Sequence, residues 1–140
     1  MMLFLYCVLS SITINNLKEL ANYRIGMVQD YNNGDVIEKL VKDNVISNIQ
    51  YTFTSAQNIK KILVKNRFDI LIEDKHVVWH HLKKMKKLKA LKMIYGVQNT
   101  TSYIGCSNKK NLEWVLKKFD HFYPVMIKDG TYDMNIDKYR

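Results

Sequence analysis

Short apolar runs alternate with segments of helical period along most of this chain, and no other feature restricts its fold so strongly. "MLFLYCVL" (residues 2–9), "YRIGMV" (23–28), "ISNIQYTF" (46–53) and "RFDILI" (67–72) are rich in branched and aromatic side chains, as buried strands are. "NNLKEL" reads as a helical turn capped by Asn15 or Asn16. "GDVIEKLVKD" spaces Val36, Ile37, Leu40 and Val41 for one helix face. "AQNIKKILVKN", capped by Thr54 or Ser55, does the same with Ile59, Ile62 and Leu63. "HVVWHHLKKMKK" is a further helix, and "ALKMIYG" and "TSYIGCS" are two more strand-like runs. The order β-α-β-α-β-α-β predicts an α/β fold: a single α/β/α lobe whose mostly parallel sheet of about five strands is covered on both faces. Ligands of such sheets sit beyond the carboxyl ends of the strands. Two loops lie there, "QDYNNG" after the first sheet strand and "EDKH" after the third.

The tail follows a different pattern. Leu112, Val115, Leu116, Phe119, Tyr123, Met126 and Ile127 fall near helical spacing, which predicts a long amphipathic helix with a kink or break at Pro124. Asp129-Gly130 stops it, and "TYDMNIDKY" forms a short last helix.

Twenty-two Lys and Arg against thirteen Asp and Glu give a net charge of +9. The basic residues are mostly Lys, spread along the chain, and the densest cluster, "KKMKKLKALK" (residues 83–92), interleaves Leu and Met rather than aromatics. No base-reading motif surrounds it, which argues against nucleic acid and for a solvated face. A nucleic-acid or anionic-membrane module stays open as the alternative. The opening run lacks a basic leader and a small-x-small cleavage site and is too short to span a membrane, so it reads as a strand rather than a signal peptide.

Chemistry-bearing constellations are sparse. Cys7 and Cys106 make no disulfide framework and have no zinc-ligand spacing. His76 and His80 stand one helical turn apart beside Glu73 and Asp74, but without the HExxH pattern or a third ligand no metal is expected. No nucleophile and base stand in a recognisable relation, so no catalytic residue, cofactor or enzymatic activity is expected. A phosphoacceptor reading of "FDILIED" fails because no acidic pair follows an earlier strand to hold magnesium.

"NNLKELANYRIGMVQDYNNGD", "AQNIKKILVKNRFDILIEDK", "YIGCSNKKN" and "IKDGTYDMNIDKY" occur in an order that resembles the extracellular solute-binding proteins of the amino-acid ABC-transporter type. That family joins two α/β lobes by a hinge and closes them over a small ligand. The resemblance implies that residues 13–100 are the second lobe. Residues 1–12 and 101–107 would be hinge strands, and residues 108–140 helices that pack on a first lobe. The first lobe, with its arginine for the ligand carboxylate, has no counterpart here, so the expected form is truncated, with impaired or altered binding.

By the same resemblance Asp74 takes the ligand's ammonium, and Asp30, Tyr31, Asn32 and Asn33 line the cleft where other members recognise a carboxylate. From its position alone Asp74 reads first as a helix N-cap, a role compatible with ligand contact. Asp30 and Asp35 would oppose an anion, and Glu73 is expected to be solvated or paired with a lysine. The implied partners are a small polar solute such as an amino acid and an ABC permease, in the periplasm. The implied Cys7 and Cys106 hinge strands lie side by side, which leaves a disulfide open. Self-association through the C-terminal helix and the N-terminal strand, including a non-functional split-gene remnant that does so, is the remaining alternative.

Overall fold

Among the described residues five strands form one sheet in the order β3-β2-β4-β1-β5: β1 (Met2–Cys7), β2 (Ile25–Val28), β3 (Ile49–Thr52), β4 (Ile70–Asp74) and β5 (Lys92–Asn99). The computed structural model describes residues 2–8, 11–65, 67–99, 103–107 and 109–138, and the chain divides into two units, Met1–Thr100 and Thr101–Arg140. β2 and β4 are buried at every position, which is why they read as continuous apolar runs rather than alternating ones.

β2 pairs in parallel with both β3 and β4, joined through the crossover helices α1 (Asp35–Lys42) and α2 (Ser55–Lys65). β1 pairs antiparallel with β4 and with β5, so four strands run one way and β1 opposes them. The mostly parallel α/β sheet is thus present, as a mixed sheet with one reversed strand. Because β1 has a neighbour on each side, its backbone offers no open edge for strand pairing with a second copy.

Strand alternation distributes the core. Leu3, Leu5, Ile70 and Ile72 pack with Leu20, Ile37 and Ile46 on one face. Tyr6 and Leu71 pack with Ile59, Ile62, Phe68, Val78 and Leu82 on the other, under α2 and α3 (Lys75–Lys84). Asn16 caps the 3-10 turn Leu17–Asn22 by accepting from the Lys18 N–H at 2.9 Å, and Thr54 Oγ1 accepts from the Gln57 N–H at the start of α2. Within the stripe expected for α1, Ile37 is buried, Leu40 and Val41 are half-buried, and Val36 is exposed. Arg24 holds Asp69 through Nη2 to Oδ1 at 2.7 Å and Nε to Oδ2 at 3.1 Å, tying β2 to β4 where both begin. The acid of "RFD" is therefore a structural clamp.

In the second unit, Tyr103–Ser107 has no regular secondary structure, contrary to the expectation of a strand; the long strand Lys92–Asn99 takes the edge beside β1 instead. Residues 101 and 102 of that run, and Leu9 of the first, lie outside the described residues. α4 (Glu113–Lys128) runs on through Pro124, which forfeits one backbone hydrogen bond without ending the helix. Gly130 adopts φ 81°, the left-handed conformation that glycine tolerates, and α5 (Thr131–Asp137) follows. Tyr123 stacks on Phe119 and meets Tyr132 edge-on, joining the two helices. No residue of either helix is buried, and Trp114, Phe122 and Ile127 are exposed. Cys7 and Cys106 form no disulfide. Among the described residues no helix is long and apolar enough to cross a membrane.

Candidate functional site

β2 and β4 are adjacent and parallel, so the loops that follow them leave the sheet at the same edge. In the first loop, Asp30 takes φ 55°, and Asn32 Oδ1 accepts from the Gly34 N–H at 2.8 Å to close an Asx turn. Asn33 is buried and donates from Nδ2 to the Tyr31 carbonyl. Gly34 takes φ 82°, the left-handed conformation that favours glycine, and a Cβ there would stand 2.5 Å from Gln98 Oε1, the movable end of that side chain. Asp30, Tyr31 and Asn33 line an open groove of about 520 Å³ with Met27, Glu38 and Tyr51. Asn32, fixed in its turn, does not line it.

The second loop centres on Asp74, which is buried at the start of α3. Its Oδ1 accepts from the His76 N–H at 2.8 Å and the Val77 N–H at 3.3 Å, so the capping role is realised. Its Oδ2 accepts from the Met2 N–H at 2.9 Å. Three backbone donors thus hold the carboxylate rigidly, and its second oxygen faces β1.

Glu73 corrects the sequence reading. It is 1% exposed, neither solvated nor paired with a lysine. The alternation of β4 explains this: Glu73 shares the face of Leu71, directed toward α2 and α3. Oε1 accepts from the Asp74 N–H at 3.0 Å, while Oε2 is enclosed without a partner. Burial raises its pKa, offset in part by the Ser55 hydroxyl and the Asp74 N–H. Tyr31 is raised too, first by burial and then by Glu73 and Asp74, which places its phenol in the field of both acids. Tyr31 thus lines the groove while feeling the charge of the acids at the end of β4. Sequence reasoning also missed Gln98, whose enclosed Oε1 lies against Gly34. Among the described residues no three His, Cys, Asp or Glu gather to hold a metal ion.

A carboxyl raised in the folded state adds stability at low pH and loses it as pH rises through the raised value. The Glu73 contribution is full below the ordinary glutamate value of about 4.3 and declines above it. Glu73→Gln is accordingly expected to stabilise the protein at pH 7 by of order 1 kcal/mol and to change little at the acid end. Thermal melts of both proteins across that range check this; parallel pH profiles would contradict it.

No family model and no curated protein matches this chain. Solved structures do. An ancestral arginine-binding protein bound to arginine matches with TM-score 0.69 at 18% identity, over 99% of this chain and 59% of that one. The arginine third transport system periplasmic binding protein from Legionella pneumophila matches with TM-score 0.67 at 16% identity, over 99% and 61%. A histidine kinase sensor domain with similarity to periplasmic binding proteins matches with TM-score 0.69 at 15% identity, over 99% and 58%. The chain spans less than two thirds of each of these proteins. At such identities the likeness is one of fold: the chain folds as one lobe of a type II periplasmic binding protein does.

Proposed function

We propose that this chain is a solute-capturing lobe of the amino-acid ABC-transporter type, which binds a small ligand bearing an ammonium group and passes it to a permease outside the cytoplasm. The observation that carries the reading is Asp74 at the carboxyl end of β4, with Tyr31 of the neighbouring loop in its field. A buried carboxylate fixed by backbone donors is a preorganised acceptor for a cation. Tyr31 offers a phenol, and the Asp30 to Asn33 backbone forms the floor. The acids of this edge favour a cationic solute over an anionic one. The role is capture rather than catalysis.

Asp74→Asn is the discriminating variant, because asparagine also caps helices while lacking the charge. The wild-type protein is expected to gain thermal stability with an amino acid such as arginine, and the variant to bind it roughly ten- to hundredfold more weakly. Its own melting temperature should stay close to wild type. An undiminished ligand response in Asp74→Asn would remove Asp74 from the site.

The exposed face of α4, with Trp114, Phe122 and Ile127, supports a second reading in which copies of the chain associate through this helix. A monomeric mass by light scattering at high concentration would reject it.

A further inference from the structure

The lysine-rich corner after α3 is not absorbed by solute capture. From Lys75 to Leu112 the sequence contains no Asp or Glu, and six lysines crowd into residues 83–92. The corner is ordered by backbone hydrogen bonds. Lys86 N–H donates to the Lys83 carbonyl at 3.0 Å and Lys87 N–H to the Leu82 carbonyl at 2.9 Å, the paired bonds of a Schellman helix end. Lys86 occupies its left-handed position with φ 56°, where glycine is usual. Leu82 and Leu91 are buried on either side, and Met85 packs against the same core.

Those anchors leave one apolar side chain outward. Leu88 is 49% exposed, and with Lys83, Lys86, Lys87, Lys89 and Ala90 it lines a shallow concavity of about 610 Å³. Lys84, Lys86, Lys87 and Lys89 are exposed, and none of them forms an ion pair among the described residues. An apolar tip ringed by ammonium groups on a rigid turn fits a surface with anionic groups outside and hydrocarbon beneath.

We propose that this corner, centred on Leu88, docks on anionic lipid membranes. Lysines 84, 86, 87, 89 and 92 meet the headgroup phosphates and Leu88 enters the interface. A nucleic-acid partner fits less well. The cluster has no arginine and no exposed aromatic for base stacking, the Trp79 ring being covered by Lys83 Nζ at 4.8 Å from its centroid. Leu88 would have no role against a phosphate backbone. This surface is independent of the solute site and of Asp74.

The test is co-sedimentation of the full chain with vesicles of equimolar phosphatidylglycerol and phosphatidylcholine, and with phosphatidylcholine alone, at low and high salt, with duplex DNA as competitor. Binding is expected only to the anionic vesicles and should fall steeply with salt. Lys86→Gly/Lys87→Ala/Lys89→Ala should weaken it roughly a hundredfold, glycine at position 86 removing the charge while suiting the left-handed backbone. Leu88→Ala should weaken it several-fold, with an unchanged melting temperature. Absence of binding to anionic vesicles overturns the proposal. So does binding to both vesicle types that the lysine substitutions leave unchanged, which would assign it to α4. Displacement by DNA, with no effect of Leu88→Ala, would assign the corner to nucleic acid and overturn it as well.

Discussion

Phe68→Ala is expected to cost the Met1–Thr100 unit about 3–5 kcal/mol. The ring is 1% exposed and lies in the core layer under α2 and α3, with Ile59, Ile62, Leu71, Val78 and Leu82. It also covers the backbone of β2 at Gly26: a Cβ built there would stand 2.4 Å from Phe68 Cδ2. Truncation therefore opens a void floored by strand backbone, which cannot relax inward as side chains can. Against a typical total of about 5–15 kcal/mol, this single loss removes a large share of the stability. Urea titration should show a lower midpoint with an unchanged slope. A cost below about 1.5 kcal/mol would mean that Ile59 and Ile62 fill the space.

Gly26→Ala acts on the same contact from the opposite side and should cost about 3 kcal/mol. The added methyl would meet Phe68 at 2.4 and 2.6 Å and Asn58 Oδ1 at 2.7 Å. Neither neighbour can withdraw easily, because Phe68 and Asn58 are both fully enclosed. The two substitutions should compensate in combination: Gly26→Ala/Phe68→Ala is expected to fall short of the summed costs by at least about 1 kcal/mol. Strict additivity in a double-mutant cycle would show that the methyl is accommodated by backbone movement instead.

The fold was legible because β2 and β4 are buried on both faces and their continuous apolar runs have no competing interpretation. The reversed direction of β1 was not, since an apolar run carries no sign of which way it points once placed in a sheet. "TSYIGCS" shows the converse: its composition suits a strand, but Tyr103–Ser107 has no strand partner. At the site, Asp74 was placed correctly as an N-cap by position alone. Glu73 was misjudged because charge was weighed above alternation, although Leu71 two residues earlier already marked its face as inward. Gln98 could not have been found locally, since its contact with Gly34 joins segments far apart in the chain.

Capping and ligand capture by Asp74 make different demands on the same side chain. Oδ1 serves the helix, and Oδ2 serves the Met2 N–H of a strand that the family resemblance assigns to the hinge. A cation arriving at Oδ2 would compete with that strand contact, which is why the charge-removing but cap-retaining variant separates the two roles.

The position of β1 also governs how the chain reaches its native state. Leu3 pairs with Asp74 on one side and with Gln98 on the other, so the first strand of this sheet is complete only once its last strand is in place. The parallel core of β2, β3 and β4 needs only the intervening helices and can assemble first. Inserting β1 then closes the longest loop in the lobe, a step of high contact order that slows folding. Until it is complete, one edge of β4 stands open, and the nascent lobe is most exposed to mispairing along the strand that ends in Asp74.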